Sequence, residues 1–101
     1  LMKLVTVHSE AIEELDAAIS YYEDQKAGLG LDFLTEVERS ISKIQQNPNL
    51  GAAYKLTGLR RYILQRFPFV IFYAELEQSI WIVAIAHGKR RPDYWRKRQV
   101  E

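Results

Sequence analysis

The residues of this chain best suited to chemistry are gathered in its second half. Arg60, Arg61 and Arg66 come first, then His87, then a basic run from Lys89 to Arg98 that includes Arg90, Arg91, Tyr94, Trp95 and Arg96. One chemistry that fits is metal-free cleavage of RNA. It needs a base for the 2′-hydroxyl proton, cations to steady the scissile phosphate, and an acid for the leaving oxygen. Histidine titrates where proton transfer near neutrality is easy, and arginine pairs bidentately with phosphate. His87, Arg60, Arg61, Arg66 and Tyr94 are the candidates for such a site. The other chemistry is docking. Tyr, Trp and Arg dominate binding hot spots, and Lys89, Arg90, Arg91, Tyr94, Trp95, Arg96 and Arg98 supply them in one stretch.

Each residue also has a plainer reading. His87 can be a strand-end histidine that satisfies backbone groups. The arginines can pair with acids such as Glu36 and Glu38, where exposed pairs add only about 0–1 kcal/mol each. Trp95 can be a lid on the core. If Arg60 and Arg61 are neighbours on one strand, their side chains point to opposite faces. His8, at a strand-to-helix junction, reads as structural or exposed.

Composition bounds what surrounds these residues. The 101 residues are 48% apolar and 27% charged, and include no cysteine. This describes one globular domain, 1–101, with residues 89–101 as a basic C-terminal tail. It excludes disulfides, thiolate zinc sites and cysteine nucleophiles. Two distant histidines offer no metal site, the acids at 10, 13 and 14 read as helix N-terminal charges, and Gly28-x-Gly30 is not a phosphate loop. No cofactor is expected. No apolar run approaches the ~20 residues of a membrane span, so the expected location is the cytoplasm. Met2 reads as the natural start.

The net charge of +1 hides an asymmetry. Residues 1–50 hold four Lys/Arg against nine Asp/Glu, and residues 51–101 hold ten against four. The basic half therefore suits a polyanion or an acidic protein, the alternative being a solvated tail.

The elements that must position these groups follow from pattern. Residues 3–7 alternate and read as a strand. Ser9 reads as the N-cap of a helix ending near Lys26, with Ile12, Leu15, Ile19 and Tyr22 at helical spacing. Gly28 and Gly30 break it. A second helix runs from about Leu31 to Gln46, stopped by Pro48. The two form an antiparallel hairpin. Short strands follow at 53–56, after a Thr57-Gly58 turn at 60–66, at 67–74, and at 80–86, with Pro68 marking a strand start or bulge. The fold class is α+β: an N-terminal strand, a helix hairpin, then a three- to four-stranded antiparallel sheet with the helices on one face.

At this point the chain resembles the ParE/RelE superfamily of type II toxin–antitoxin (plasmid stabilisation) modules. The resemblance spans nearly the whole length. Its carriers are Ala18-Ile19-Ser20-Tyr21-Tyr22-Glu23, the link Gly28 to Phe33, and the Ile44-Gln45-Gln46-Asn47-Pro48 break. Arg60 to Leu64, Arg66 to Tyr73, Ile85-Ala86-His87 and Arg90 to Trp95 complete the set. The resemblance implies a toxin silenced by a cognate antitoxin. RelE-like members cut mRNA on the ribosome, whereas ParE-like members act on DNA gyrase. The sequence is more similar to the ParE-like branch, which implies gyrase poisoning by binding. The alternatives are a RelE-like endoribonuclease and a non-toxic binding partner with the toxin fold. In several RelE-like members an aromatic acid–base residue or a His–Tyr pair ends the last strand; here Gly88 follows His87 and Tyr94 is seven residues on. An antitoxin would need an apolar surface. The strand 67–73 has two stripes, one of which must pack on the helices. Phe67, Phe69, Ile71 and Tyr73 are taken as the antitoxin groove. Left alone, the chain is expected to form a homodimer, or a hetero-oligomer with the antitoxin.

Overall fold

The computed structural model describes residues 2–55 and 58–101. The element order is β1 (Leu4–Val7), α1 (Ser9–Gln25), α2 (Leu29–Gln46), β2 (Ala52–Ala53), β3 (Leu59–Ile63), β4 (Phe69–Glu75) and β5 (Ser79–His87). The five strands form one sheet in the order β1-β5-β4-β3-β2. β2 to β5 pair antiparallel, as expected for tightly connected strands. β1 adds to β5 in parallel, which the long excursion through both helices allows.

α1 begins where β1 ends because the chain turns at His8. The expected cap, Ser9, lies one residue inside the helix. His8 is the cap: its Nδ1 accepts from the Glu10 N–H at 3.1 Å, and its own N–H donates to the Ile82 carbonyl at 3.0 Å. Ser9 is held by the far end of the chain, with its N–H and hydroxyl donating to the Glu101 carboxylate at 2.8 and 2.6 Å. These contacts lower the Glu101 pKa, with the Ser9 hydroxyl as the main cause.

The helix link uses its two glycines differently. Gly28 adopts φ +90, a left-handed conformation that costs glycine little. Gly30 lies inside α2 rather than before it. A Cβ there would sit 2.7 Å from the Ile19 carbonyl oxygen, so the two helices approach closely here. Glu23 of α1 accepts from the N–H groups of Gly28 and Gly30 and so caps α2 from across the hairpin.

The second half departs from its expected bounds. β2 is only Ala52–Ala53, and the Thr57 of the expected turn lies outside the described residues. β3 stops at Ile63, so Arg66 belongs to the β3–β4 turn, not to a strand shared with Arg60 and Arg61. Pro68 immediately precedes β4. The register breaks further along, between Phe72 and Tyr73, where Val83 is the extra residue on β5. That bulge resets the alternation of β5. Ile80, Ile82 and Ile85 all face the helices, and Val83, Ala84 and Ala86 face away.

The main core lies between helices and sheet. Phe33, Val37 and Ile44 of α2 and Ala18 of α1 meet Leu64, Phe67, Phe69, Ile71 and Tyr73. Tyr22, Phe33, Phe67 and Phe69 form an aromatic knot with ring centroids 4.9–6.2 Å apart. This corrects the expected antitoxin groove. Phe67, Phe69, Ile71 and Tyr73 are the stripe that packs on the helices, all buried, and none is available to a partner. Tyr73 also spends its hydroxyl internally, accepting from the Gly51 N–H and donating to the Pro48 carbonyl, both at 2.8 Å.

Candidate functional site

The sheet's other face is covered by the chain after β5. Gly88 anchors this segment to the residue before β4, its N–H donating to the Pro68 carbonyl at 2.7 Å. Successive turns then carry Arg90 to Arg98, with Asp93 at a left-handed φ of 60. Trp95 drops onto the sheet. It is 2% exposed and its ring lies 4.6 Å from Phe72 and 5.9 Å from Tyr54. Val83, Ala84 and Ala86 complete this smaller core. The lid reading of Trp95 holds, and Trp95 is not a free docking residue.

The same segment is clamped to α1 through Glu14. Its carboxylate accepts from the Ile85 N–H at 3.0 Å, from the Tyr94 hydroxyl, and from both Arg98 terminal nitrogens at 3.1 and 2.8 Å. Arg98 also donates to the Val83 carbonyl at 3.0 Å. The Val83 carbonyl and Ile85 N–H lie on β5 beyond the end of β1, so the clamp takes up backbone groups the short edge strand leaves unpaired. The Arg98 and Glu14 side chains are 9% and 13% exposed. Burial alone opposes the Arg98 charge; Glu14 overcomes it and raises the pKa. Burial, then the bond to Glu14, pushes the Tyr94 phenol well above its ordinary range.

These contacts redraw both sequence-based sites. The five nuclease candidates converge only in part: Arg61, His87 and Tyr94 border one groove, whereas Arg60 and Arg66 lie outside it. His87 pairs with Phe69 and shares its helix-side face, its ring 5.2 Å from Phe69. Its Nδ1 accepts from the Lys89 N–H at 3.0 Å, which fits the strand-end reading. Arg61 pairs with Phe72 and lies on the opposite face. Arg60 is turned the other way, as alternation requires, and donates to the Gly51 carbonyl at 2.8 Å. Arg66 sits near α2, its guanidinium 3.8 Å from Asp32 and its N–H bonded to Glu36 at 3.2 Å. Tyr94 is committed to Glu14.

The docking set divides in two. Tyr94, Trp95 and Arg98 are structural. Lys89, Arg90, Arg91 and Arg96 are exposed, and Lys97 joins them. Among the described residues, none of these cations makes an ion pair, and neither does Arg61. Arg61, Arg90 and Arg91 line one groove of about 160 Å³ with Tyr54, Val70, Phe72, Asp93 and Trp95. A wider cleft of about 490 Å³ on the helix side joins Glu10, Glu13, Glu14 and His87 to Arg90 and Arg98.

Sequence reasoning missed the hubs of this surface. From sequence Glu14 reads as a helix N-terminal acid, but only Glu10 lies in the first turn. Tyr54 donates to Asp93 at 2.8 Å, which holds the Asp93 carboxyl below its ordinary range. No local pattern marks either pair, whose partners are 80 and 39 residues apart.

A family model described as "ParE toxin of type II toxin-antitoxin system, parDE" matches residues 5–92. The chain belongs to the ParE toxin family. The match covers both helices, β2 to β5 and β1 from its second residue, and ends within the turn that follows β5. No curated protein matches the chain. The fold is also that of a solved structure titled "Chromosomal ParDE TA system from P. aeruginosa", with a TM-score of 0.72. That chain is 24% identical, and the alignment covers 85% of the present chain and 96% of the other. As a ParE-family toxin, this chain implies an antitoxin partner. Among the described residues, no helix is long and apolar enough to cross a membrane.

Proposed function

We propose that this ParE-family toxin inhibits growth in the cytoplasm by binding DNA gyrase and trapping it, and that a cognate antitoxin prevents this. The observation that carries the reading is the division of the cations. Of the nuclease set, Arg60 and Arg66 lie outside the groove that His87 and Tyr94 border, whereas Arg61, Arg90 and Arg91 share that groove and have no ion-pair partners among the described residues. Poisoning by binding needs a surface and no proton-transfer pair. With the 67–73 stripe buried, the antitoxin's apolar contacts fall to the outer face, where Leu4 and Ile63 are exposed beside Trp81 and Val70.

The test is a gyrase assay with purified toxin, ATP and plasmid, scoring supercoiling and trapped linear DNA. Deleting the whole tail would remove the Glu14 clamp and Trp95, so the informative variant is Arg90→Gln with Arg91→Gln. Wild-type trapping that this pair weakens at least tenfold supports the reading. A chain that stops growth but leaves gyrase untouched sinks it and returns attention to mRNA cleavage. A chain harmless without antitoxin points to a binding partner that has lost toxicity.

A further inference from the structure

Two arginines of the groove are mounted alike. Arg61 lies over the Tyr54 ring, its Cζ 5.7 Å from the centroid, and Arg90 lies over the Tyr94 ring at 3.9 Å. In each unit the tyrosine hydroxyl donates to a carboxylate, Asp93 for Tyr54 and Glu14 for Tyr94. The carboxylates therefore fix the rings rather than neutralise the arginines. Glu14 is occupied by Arg98, and Asp93 by Tyr54 and Lys55. What remains is a pair of exposed guanidinium groups on aromatic mounts, with Arg91 beside them and Trp95 in the floor.

We infer that this groove is a phosphodiester-binding site that takes the backbone of duplex DNA. The inference deepens the gyrase reading, and its biological use rests on that reading: it assigns the groove to the nucleic acid of the gyrase–DNA complex rather than to the protein. Three arguments favour phosphate over an acidic protein surface. The cations are arginines, whose planar fork matches phosphate oxygens. Stacking on a ring restrains a guanidinium before the anion arrives, so less side-chain freedom is lost on binding. The charge is also one-sided. The acidic excess lies in residues 1–50, which build both helices, so a polyanion is repelled from the helix layer and confined to the tail face. Contacts of this kind go to the phosphate backbone, so binding is sensitive to salt.

The experiment is fluorescence anisotropy of a labelled duplex of about 20 base pairs with the full-length toxin, titrated from about 50 mM to 200 mM NaCl. Three phosphate contacts give a slope of log K against log salt of about −3. Arg61→Gln and Arg90→Gln each weaken binding several-fold and make the slope shallower by about 1. Circular dichroism checks that these surface variants fold. No duplex binding at the low salt, unchanged binding in both variants, or equal competition by polyglutamate at matched charge each overturns the assignment; the last makes the groove a general acid-protein surface. The gyrase assay in parallel keeps the two claims apart. Trapping that survives in variants without duplex affinity rejects the groove and leaves the gyrase reading standing. Duplex binding that depends on Arg61 and Arg90 without any effect on gyrase supports the groove and rejects that reading.

Discussion

On one side of the sheet, two helices of 17 and 18 residues cover a continuous apolar layer from Phe33 to Ile85. On the other side, one tryptophan and two tyrosines cover the centre, and arginines stand open around them. Both faces come from the same strands. β4 alternates Phe69, Ile71 and Tyr73 inward with Val70, Phe72 and Ala74 outward, so it is apolar on both sides. The difference lies in what covers each face. The helix layer is held mainly by packing over a large area, with a few polar bonds at its margins, such as those Glu36 accepts from the Gln65 and Arg66 N–H groups. The tail layer is held by one tryptophan and by polar bonds that converge on Glu14. A face held that way can present charge at its surface, because its order does not depend on excluding water everywhere.

Mutations can break this comparison or sharpen it. The largest effect should come from the helix side. Phe33→Ala opens a cavity in the aromatic knot and costs about 3–5 kcal/mol. Urea unfolding should show the midpoint fall for the whole domain in one transition.

Arg98→Ala comes next. It leaves the buried Glu14 charge without its cation and costs about 3 kcal/mol, the low end for a broken buried pair because the released tail lets water in. Here the loss should be local first. Trypsin should cut between Lys89 and Lys97 well before the helices unfold, and Glu14→Gln added to Arg98→Ala should restore part of the midpoint. If the tail stays protected, the clamp is not what holds it.

A smaller effect is set by pH. The Tyr94 phenol titrates above its unfolded value of about 10. The folded state therefore holds that proton more tightly than the unfolded chain does. The stabilisation is fully present below about pH 10 and declines as pH rises from there towards the folded-state value. Tyr94→Phe should cost about 1 kcal/mol at neutral pH and flatten this alkaline decline in a thermal melt. At the other end of the scale, Arg61→Gln should change stability by less than about 0.5 kcal/mol, since its side chain is exposed and makes no ion pair among the described residues. A melting temperature equal to wild type, together with lost duplex affinity, would separate what the tail face does from what holds it together.

The helices were legible in the sequence because their apolar period is local. Leu15, Ile19 and Tyr22, and then Val37, Ile41 and Ile44, can be read within a few turns of chain. The glycine link and the strand at Pro68 were legible for the same reason. The two stripes of β4 were visible too, but not which one faced the helices. Both are apolar, and alternation fixes only that they differ. The bulge at Val83 was hidden because it depends on pairing with β4, not on any residue of β5 alone.

For the basic tail, the sequence by itself determined the composition: cations and aromatics in one short stretch, opposite an acidic helical half. That follows from counting charges along the chain. Only the tertiary structure decided which of them are free. Arg98 and Arg90 are the same residue type eight positions apart, yet one is buried on Glu14 and the other stands open over Tyr94. The partner that separates them, Glu14, lies on α1, 84 residues from Arg98. Whether a charge is spent or available is set by the groups that surround it, and the fold brings those groups from distant parts of the chain.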